Sequence, residues 1–450
     1  MFKRVCIANR GEIAVRIIRA CKELGIETVA IYSSADAEAL HTQLATYAVC
    51  VGGPRSSESY LNVSNILSAA LYYHCDAIHP GFGFLSENAS FARMVEQCGM
   101  VFIGPSAEVM EKMGDKAQAK QAMRDAGVPV VEGSQGIVSD EKEALEIADK
   151  IGYPVILKAA HGGGGRGMRI VDKREEVADA YDIASNEARS AFGNGDMYIE
   201  KFVRDPKHIE FQLLADAYGN VVHLFERDCS IQRRNQKLIE ESPSRFLDDD
   251  LRREMGEAAV RAAKHIGYRN AGTIEFLVDK DRKFYFMEMN TRLQVEHGVS
   301  ELVTGIDIVK EQLKIASGLA LPFMQEEIQL LGHAIEVRIN AENPKLNFAP
   351  SPGTIRFLHF PAGPKVRVDS AMYNGATISP YYDSMIAKIL AFDTSRLGAI
   401  KKLRAALEEC IIEGLTCNLD MQYLILHHAE FLKGNYTTSF MAKHQDEVVL

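Results

Sequence analysis

Apolar and polar positions alternate along the first hundred residues in two rhythms, one of strands and one of helices. Residues 4–8 form a short apolar run. Residues 12–24 carry Ile13, Ile17, Ala20 and Leu24 at helical spacing, with Gly25 closing the helix. Residues 28–32 are β-rich, and the pattern repeats as helix 61–73, strand 77–79, helix 88–98 and strand 100–103. Gly104-Pro105-Ser106 opens a further helix. Alternation of this kind predicts a parallel, doubly wound sheet with helices on its faces. The loop after the first strand is Asn9-Arg10-Gly11-Glu12, so the G-x-G-x-x-G fingerprint is absent and nothing points to NAD.

Helix 117–126 links this part to the next and is stopped by Gly127 and Pro129. A small α+β unit then spans about 130–203, with helix 141–151, strand 155–159, a glycine stretch, strand 168–171 and a helix over about 175–189. From 205 to about 290 strand signals dominate. Helical and hairpin segments follow, and the last clear helix covers 396–410. There is no internal repeat and no low-complexity segment.

Composition narrows the function classes. The chain has 450 residues, 47% hydrophobic and 25% charged, as several soluble globular domains would. No apolar run is long enough to span a membrane, and the first residues lack a signal-peptide core, so a cytoplasmic protein is expected. A net charge of −10 argues against nucleic acid as the main partner. The cysteines at 6, 21, 50, 75, 98, 229, 410 and 417 are scattered, with neither a C-x-x-C pair nor zinc spacing, and read as reduced thiols.

Three patterns carry chemistry. His161-Gly162-Gly163-Gly164-Gly165-Arg166-Gly167 lies between two strands, where successive backbone N–H groups can converge on an anion. No Lys-Ser or Lys-Thr follows, so this is not a Walker loop. A hairpin over phosphates fits it, with Lys158 just before it. Lys116, in the first turn of a helix starting near Asp115, opposes the helix dipole, a conflict that an anion would reverse. The third pattern is the pair of β-rich runs 272–278 and 284–290. A turn centred near Asp281-Arg282 sets Glu275 opposite Glu288. Like charges across a ladder repel, and a divalent cation removes the conflict. Asn290 shares the strand face of Glu288 and can add an oxygen, a donor set suited to Mg²⁺ or Mn²⁺. Just beyond, Arg292 can grip an oxyanion and Glu296 is a candidate general base.

Residues 158–169 resemble the ATP-grasp glycine loop of biotin-dependent carboxylases, and His79-Pro80-Gly81-Phe82-Gly83-Phe84-Leu85-Ser86-Glu87-Asn88 resembles their biotin carboxylase signature. Similar matches occur at Glu226 to Ser230, Gln232-Arg233-Arg234, Met287 to His297 and Glu336 to Glu342, in the family's order along nearly the whole chain. The resemblance implies an α/β chain with an ATP-grasp fold. Its parts would be an N-terminal doubly wound (pre-ATP-grasp) domain (1–113), a linking helix (114–130), a mobile glycine-rich lid (131–203) and a C-terminal α+β domain (204–450).

It also implies residue roles. Lys116, Lys158, Gly163, Gly164, Gly165, Glu200, Lys201, Val203, His208, Gln232 and Asn235 would meet ATP. Glu275 and Glu288 would hold the metal, with Asn290 beside them. Lys237, Arg292, Gln294 and Val295 would cradle bicarbonate, and Glu296 would deprotonate it. Arg338, with Phe82 nearby, would meet biotin. The implied partners are a biotin carboxyl carrier protein, carboxyltransferase subunits and a second copy of the chain, with no nucleic acid and no membrane. The sequence has no Ala-Met-Lys-Met attachment motif, so carrier and transferase are expected as separate chains. Acetyl-CoA carboxylase is the expected setting, with a pyruvate or other acyl-CoA carboxylase as the alternative. Another ATP-grasp carboxylate–amine ligase and an inactive nucleotide-binding scaffold are the competing readings. Phe82, Asn235 and Gly298 stand where most relatives have Tyr, His and Pro, and Gly298 is expected to loosen the loop carrying Glu296. Arg16 and Arg19 are candidates for a dimer face or a solvated basic face.

Overall fold

A computed structural model describes residues 1–134, 136–160 and 167–449. Its N-terminal part is a five-stranded parallel sheet of β1 (Arg4–Ile7), β2 (Glu27–Ser33), β3 (Tyr47–Gly52), β4 (Ala77–His79) and β5 (Val101–Phe102). The strand order is β3-β2-β1-β4-β5. Helices α1 (Gly11–Glu23), α2 (Leu40–Leu44), α3 (Val63–Tyr72), α4 (Ala89–Gln97) and α5 (Ala107–Gly114) form the connections. The apolar face of α1, with Ile13 and Ile17, lies in the core beside Val5 and Ile7 of β1, as the spacing predicts.

α6 (Lys116–Asp125) leads on, its N-terminus capped by the Asp115 carboxylate, which accepts from the N–H groups of Ala117 and Gln118. α7 (Glu141–Ile151), β6 (Val155–Ala159), β7 (Met168–Val171), α8 (Val177–Phe192) and β8 (Met197–Lys201) follow. The strands make a separate antiparallel sheet ordered β7-β6-β8, with its own core of Val155, Leu157, Ile199 and Ala184.

An eight-stranded sheet dominates the rest of the chain. It contains β9 (Lys207–Ala215), β10 (Val221–Arg233), β11 (Gln236–Ser242), β12 (Asn270–Val278), β13 (Phe284–Asn290), β14 (His333–Asn340) and the strands Val366–Ser370 and Met385–Asp393. From one edge the order is β13-β12-β9-β10-β11-β14, then Met385–Asp393 and Val366–Ser370. α10 (His297–Thr304) and α11 (Ile308–Ala316) follow β13.

Two expectations are corrected. The stretch read as strand to about 290 contains α9 (Asp249–His265), a helix of 17 residues. Asp248 caps it, and its Leu251, Met255, Ala258, Ala259 and Ala262 face pack on the sheet core. That face is mostly alanine, so its helical period barely shows in hydropathy. After α12 (Arg396–Glu409), where the last helix was expected, come α13 (Leu419–His427), α14 (Ala429–Lys433) and α15 (Phe440–Val448). They close the core through Ile425, Phe431 and Phe440. Among the described residues no helix is long and apolar enough to cross a membrane.

Candidate active site

The hairpin of β12 and β13 has the predicted register, with Glu275 directly opposite Glu288. The ladder shifts between Glu275 and Phe276, so the irregularity falls at the carboxylate pair itself. Glu275 is buried and collects four donors. They are Lys237 Nζ at 2.8 Å, His208 Nε2 at 2.8 Å, Asn290 Nδ2 at 2.8 Å and Gln294 Nε2 at 2.7 Å. Burial alone would raise its carboxyl, but Lys237 and His208 outweigh that and hold it well below the carboxylate range. His208 is correspondingly raised: burial lowers it, and the Glu275 charge more than compensates.

Glu288 faces the open side of the cavity and has no ion-pair partner among the described residues. The surrounding protein and the Glu275 charge raise its carboxyl. Two opposed carboxylates, one of them without a cation, form an oxygen donor set that fits a divalent ion of the magnesium type. The Asn290 amide turns its nitrogen to Glu275, and its oxygen accepts from Arg292 at 2.9 Å.

Beyond β13 the chain turns back over the sheet and brings Glu296 between two cations. Lys237 of β11 lies 2.6 Å from Glu296 Oε1, and Arg338 of β14 lies 2.9 Å from Oε2. Burial would raise this carboxyl, yet Lys237, Arg338 and Arg227 hold it well below its ordinary range. Lys237 also reaches Glu210 at 2.5 Å, so one ammonium joins three carboxylates and is raised well above its usual value despite burial. Arg292 is not free: its guanidinium lies 2.9 Å from Glu87.

The base of this cluster is a residue that sequence reasoning quoted within a motif but gave no role. Arg227 is fully buried and donates to Glu210 at 2.5 Å, Gln212 at 2.8 Å, Ser300 at 3.0 Å, Thr273 at 3.1 Å and Gln294 at 2.7 Å. It fixes Gln294 from behind. A fully buried arginine is unusual enough that only the fold shows its acceptors.

The opposite wall comes from α6 and the three-stranded sheet. Lys158 of β6 is 2.8 Å from Glu200 of β8, and Lys120 of α6 pairs with the same carboxylate. Lys116 stands close enough that its charge, after burial, pulls the Lys158 ammonium down to about 8. Three neighbouring lysines, two of them paired with one carboxylate, leave an excess of positive charge that suits a polyphosphate. Lys120 was not anticipated; its spacing of four from Lys116, on the same face of α6, was the available signal. The Lys201 ammonium is turned to the carbonyls of Gly152 and Tyr153, at 3.1 and 2.8 Å.

These walls enclose one cavity of about 820 Å³. It is lined by Lys116, Lys158, Glu200, Lys201, Val203, His208, Gln232, Asn235 and Lys237, and by Glu275, Glu288, Asn290, Arg292, Gln294, Val295, Glu296 and Arg338. Gly163, Gly164 and Gly165 lie outside the described residues. Phe82 is not among the lining residues; its ring packs against the N-terminal core and its carbonyl accepts from Asn9 at 2.7 Å.

Two departures acquire a physical reason. Arg234 and Asn235 are the two turn residues between β10 and β11, both with positive φ, +48° and +64°. A two-residue turn of that hand favours asparagine. Gly298 does not loosen a loop, contrary to expectation: it is buried in the first turn of α10, and a Cβ there would lie 2.6 Å from Leu390 Cδ2. The expectation for Arg16 is also corrected. It is buried and bound within the chain to Glu301 at 2.9 Å and Asp307 at 2.6 Å, while Arg19 is exposed.

Comparison with known proteins agrees with this geometry along the whole chain. Residues 1–110 match the family described as biotin carboxylase, N-terminal domain, residues 115–324 the carbamoyl-phosphate synthase L chain, ATP binding domain, and residues 336–443 the biotin carboxylase C-terminal domain. Biotin carboxylase 1 of Bacillus subtilis is 55% identical over 442 residues, 98% of each chain. A crystal structure of the biotin carboxylase domain dimer of the Hydrogenobacter thermophilus 2-oxoglutarate carboxylase, in complex with MgADP, ADP and bicarbonate, is 51% identical. It superposes with a TM-score of 0.94, covering 100% of this chain and 99% of that one. The biotin carboxylase subunit of a pyruvate carboxylase superposes with a TM-score of 0.89 at 52% identity, again over 100% and 99% of the two chains.

Proposed function

The chain belongs to the biotin carboxylase family of ATP-dependent ligases, and from that premise we propose that it carboxylates biotin on a separate carrier protein, as the first half-reaction of a cytoplasmic acetyl-CoA carboxylase. The observation that carries the chemistry is Glu296 held between Lys237 and Arg338 at 2.6 and 2.9 Å, on the same cavity as the Glu275–Glu288 pair.

Bicarbonate is a poor nucleophile until it loses its proton, and Glu296, already ionised, is the base for that step. Its basicity is low while both cations grip it. An anion entering between Lys237 and Arg338 shares those cations, loosens their hold and raises the proton affinity of Glu296. Gln294, fixed by Arg227, and Arg292 orient that anion. Lys116 and Lys158 spread the charge of the transferring phosphoryl group. A magnesium ion held by Glu275 and Glu288, with Asn290 beside them, would neutralise phosphate charge at the same place. Arg338 supplies positive charge where negative charge grows on the biotin ureido oxygen. Residues 131–203 act as a lid that keeps water from short-lived carboxyphosphate, between the N-terminal domain with its linking helix (1–130) and the C-terminal domain (204–450).

The acceptor is chosen by the carboxyltransferase, outside this cavity. The likeness to subunits of 2-oxoglutarate and pyruvate carboxylases supports the alternative that a different transferase uses the same carboxylated carrier. Pairing the protein with carrier and transferase components of each type tests the assignment: malonyl-CoA formation supports it, and turnover only with another acceptor overturns it. A dimer is proposed by likeness to the dimeric relative, with exposed Arg19 rather than Arg16 available to such a face.

A further inference from the structure

One face of β11 and β14 carries buried charges beyond those the reaction uses. Glu240 and Glu336 stand directly opposite each other across the β11–β14 ladder, and both are fully buried. Two residues along β14, Arg338 is opposite Lys388 of strand Met385–Asp393. Arg338 Nε donates to Glu240 Oε1 at 2.7 Å, while its Nη2 reaches Glu296 at 2.9 Å. Lys388 donates to the carbonyl of Val295 at 2.7 Å and lies 3.2 Å from Glu12 and 3.6 Å from Asp369. Neither cation hydrogen-bonds to Glu336. Among the described residues, both oxygens of Glu336 and Oε2 of Glu240 have no hydrogen-bond partner.

Two ionised carboxylates facing each other in a dry ladder repel, and each unpartnered acceptor adds its desolvation cost. One proton relieves both problems. Placed on Glu336, it removes a charge and provides an O–H that can be shared with Glu240 Oε2. Placed on Glu240, it would instead weaken the bond to Arg338. We propose that Glu240 and Glu336 share one proton at neutral pH, resident on Glu336, and that the ionised Glu240 is a positioning residue for Arg338. The positioning role rests on the reading of Arg338 given above; the shared proton does not.

The groups facing the pair set its titration. Glu240 sees Arg338, Glu296 and Lys237, and Glu336 sees Lys388, Arg338 and Asp369. Burial, which outweighs Arg338, pushes Glu240 up to about 7, and burial beyond what Lys388 offsets pushes Glu336 well above the carboxylate range. Above about pH 7, Glu240 is ionised and holds Arg338. Below it, Glu240 takes up a second proton and Arg338 is left to Glu296, so biotin-dependent turnover falls as pH falls.

The test joins infrared spectroscopy with kinetics. In the wild-type protein, a protonated-carboxyl C=O band is present at pD 8, grows as pD falls through about 7, and at pD 8 is diminished in E336Q. In E240Q, kcat/KM for biotin drops about tenfold at pH 8, the scale of one charge-assisted contact, and loses its acidic limb. E336Q retains that limb. The proposal is overturned if the wild-type band is absent or does not grow, if E336Q keeps it, or if E240Q keeps the wild-type pH profile. The infrared result needs no turnover, so it stands or falls apart from the assigned reaction. The wild-type titration decides the shared proton even if a variant does not fold.

Discussion

A methyl group at position 298 would lie 2.6 Å from Leu390 Cδ2 and 3.1 Å from Glu336 Oε2, so the absence of a side chain there is used by a neighbour. Gly298→Ala is therefore expected to lower stability by about 1–3 kcal/mol through overpacking, and Leu390→Ala in the same chain to restore part of that loss. Urea unfolding of the two variants checks it; additive losses would contradict the pairing. At this scale the sequence was informative where a residue's role is local. The helix start near Asp115, with Lys116 in its first turn, was readable because helix starts have local signals. Arg227 was not, because its five acceptors come from β9, β12, α10 and the segment after β13, and no spacing along the chain brings them together. Gly298 was misread for the same reason: Leu390 is its neighbour only in the fold.

Among elements, the β12–β13 hairpin was legible from its polar turn and β-rich flanks, but the ladder shift after Glu275 was not: without it the pairing next to the turn would set Glu275 against Met287 rather than Glu288. α9 was not, since alanine contributes helix propensity but little hydropathic contrast. The pairing of β6 with β8 carries its own prediction. It holds Lys158 beside Glu200, and with burial and Lys116 the Lys158 ammonium sits near 8 in the free protein. Below that pH the lysine is charged and receives phosphate directly. Above it, binding must first take up a proton, so nucleotide affinity should fall as pH rises past about 8 and a proton should be taken up on binding. Calorimetry in buffers of different ionisation enthalpy measures both; affinity unchanged between pH 7 and 9.5 would contradict this placement of Lys158.

The molecule as a whole makes its site by bringing two sheets and α6 around one cavity of about 820 Å³. The three-stranded sheet has its own core and, among the described residues, shares no strand ladder with the eight-stranded sheet. A unit with a separate core can move as a body, so nucleotide binding is expected to slow hydrogen exchange across Met197–Lys201 while α12 stays unaffected. Uniform protection of both, or of neither, would contradict a closing lid. The alternation of strand and helix made the N-terminal sheet readable in advance, but the joining of distant segments into one cavity depends on long-range packing that periodicity does not encode. The proposed reaction is biotin carboxylation at this cavity, with Glu296, gripped by Lys237 and Arg338, as the base that deprotonates bicarbonate. The most direct test follows carbon from labelled bicarbonate onto a biotinylated carrier with MgATP, comparing the wild-type chain with Glu296→Ala and Arg338→Ala. ATP-dependent labelling by the wild-type chain is expected, reduced at least about a hundredfold in each variant, the scale of a lost general base or charge-stabilising group. Full labelling by Glu296→Ala, or ATP binding without any labelling by the folded wild-type chain, would contradict it.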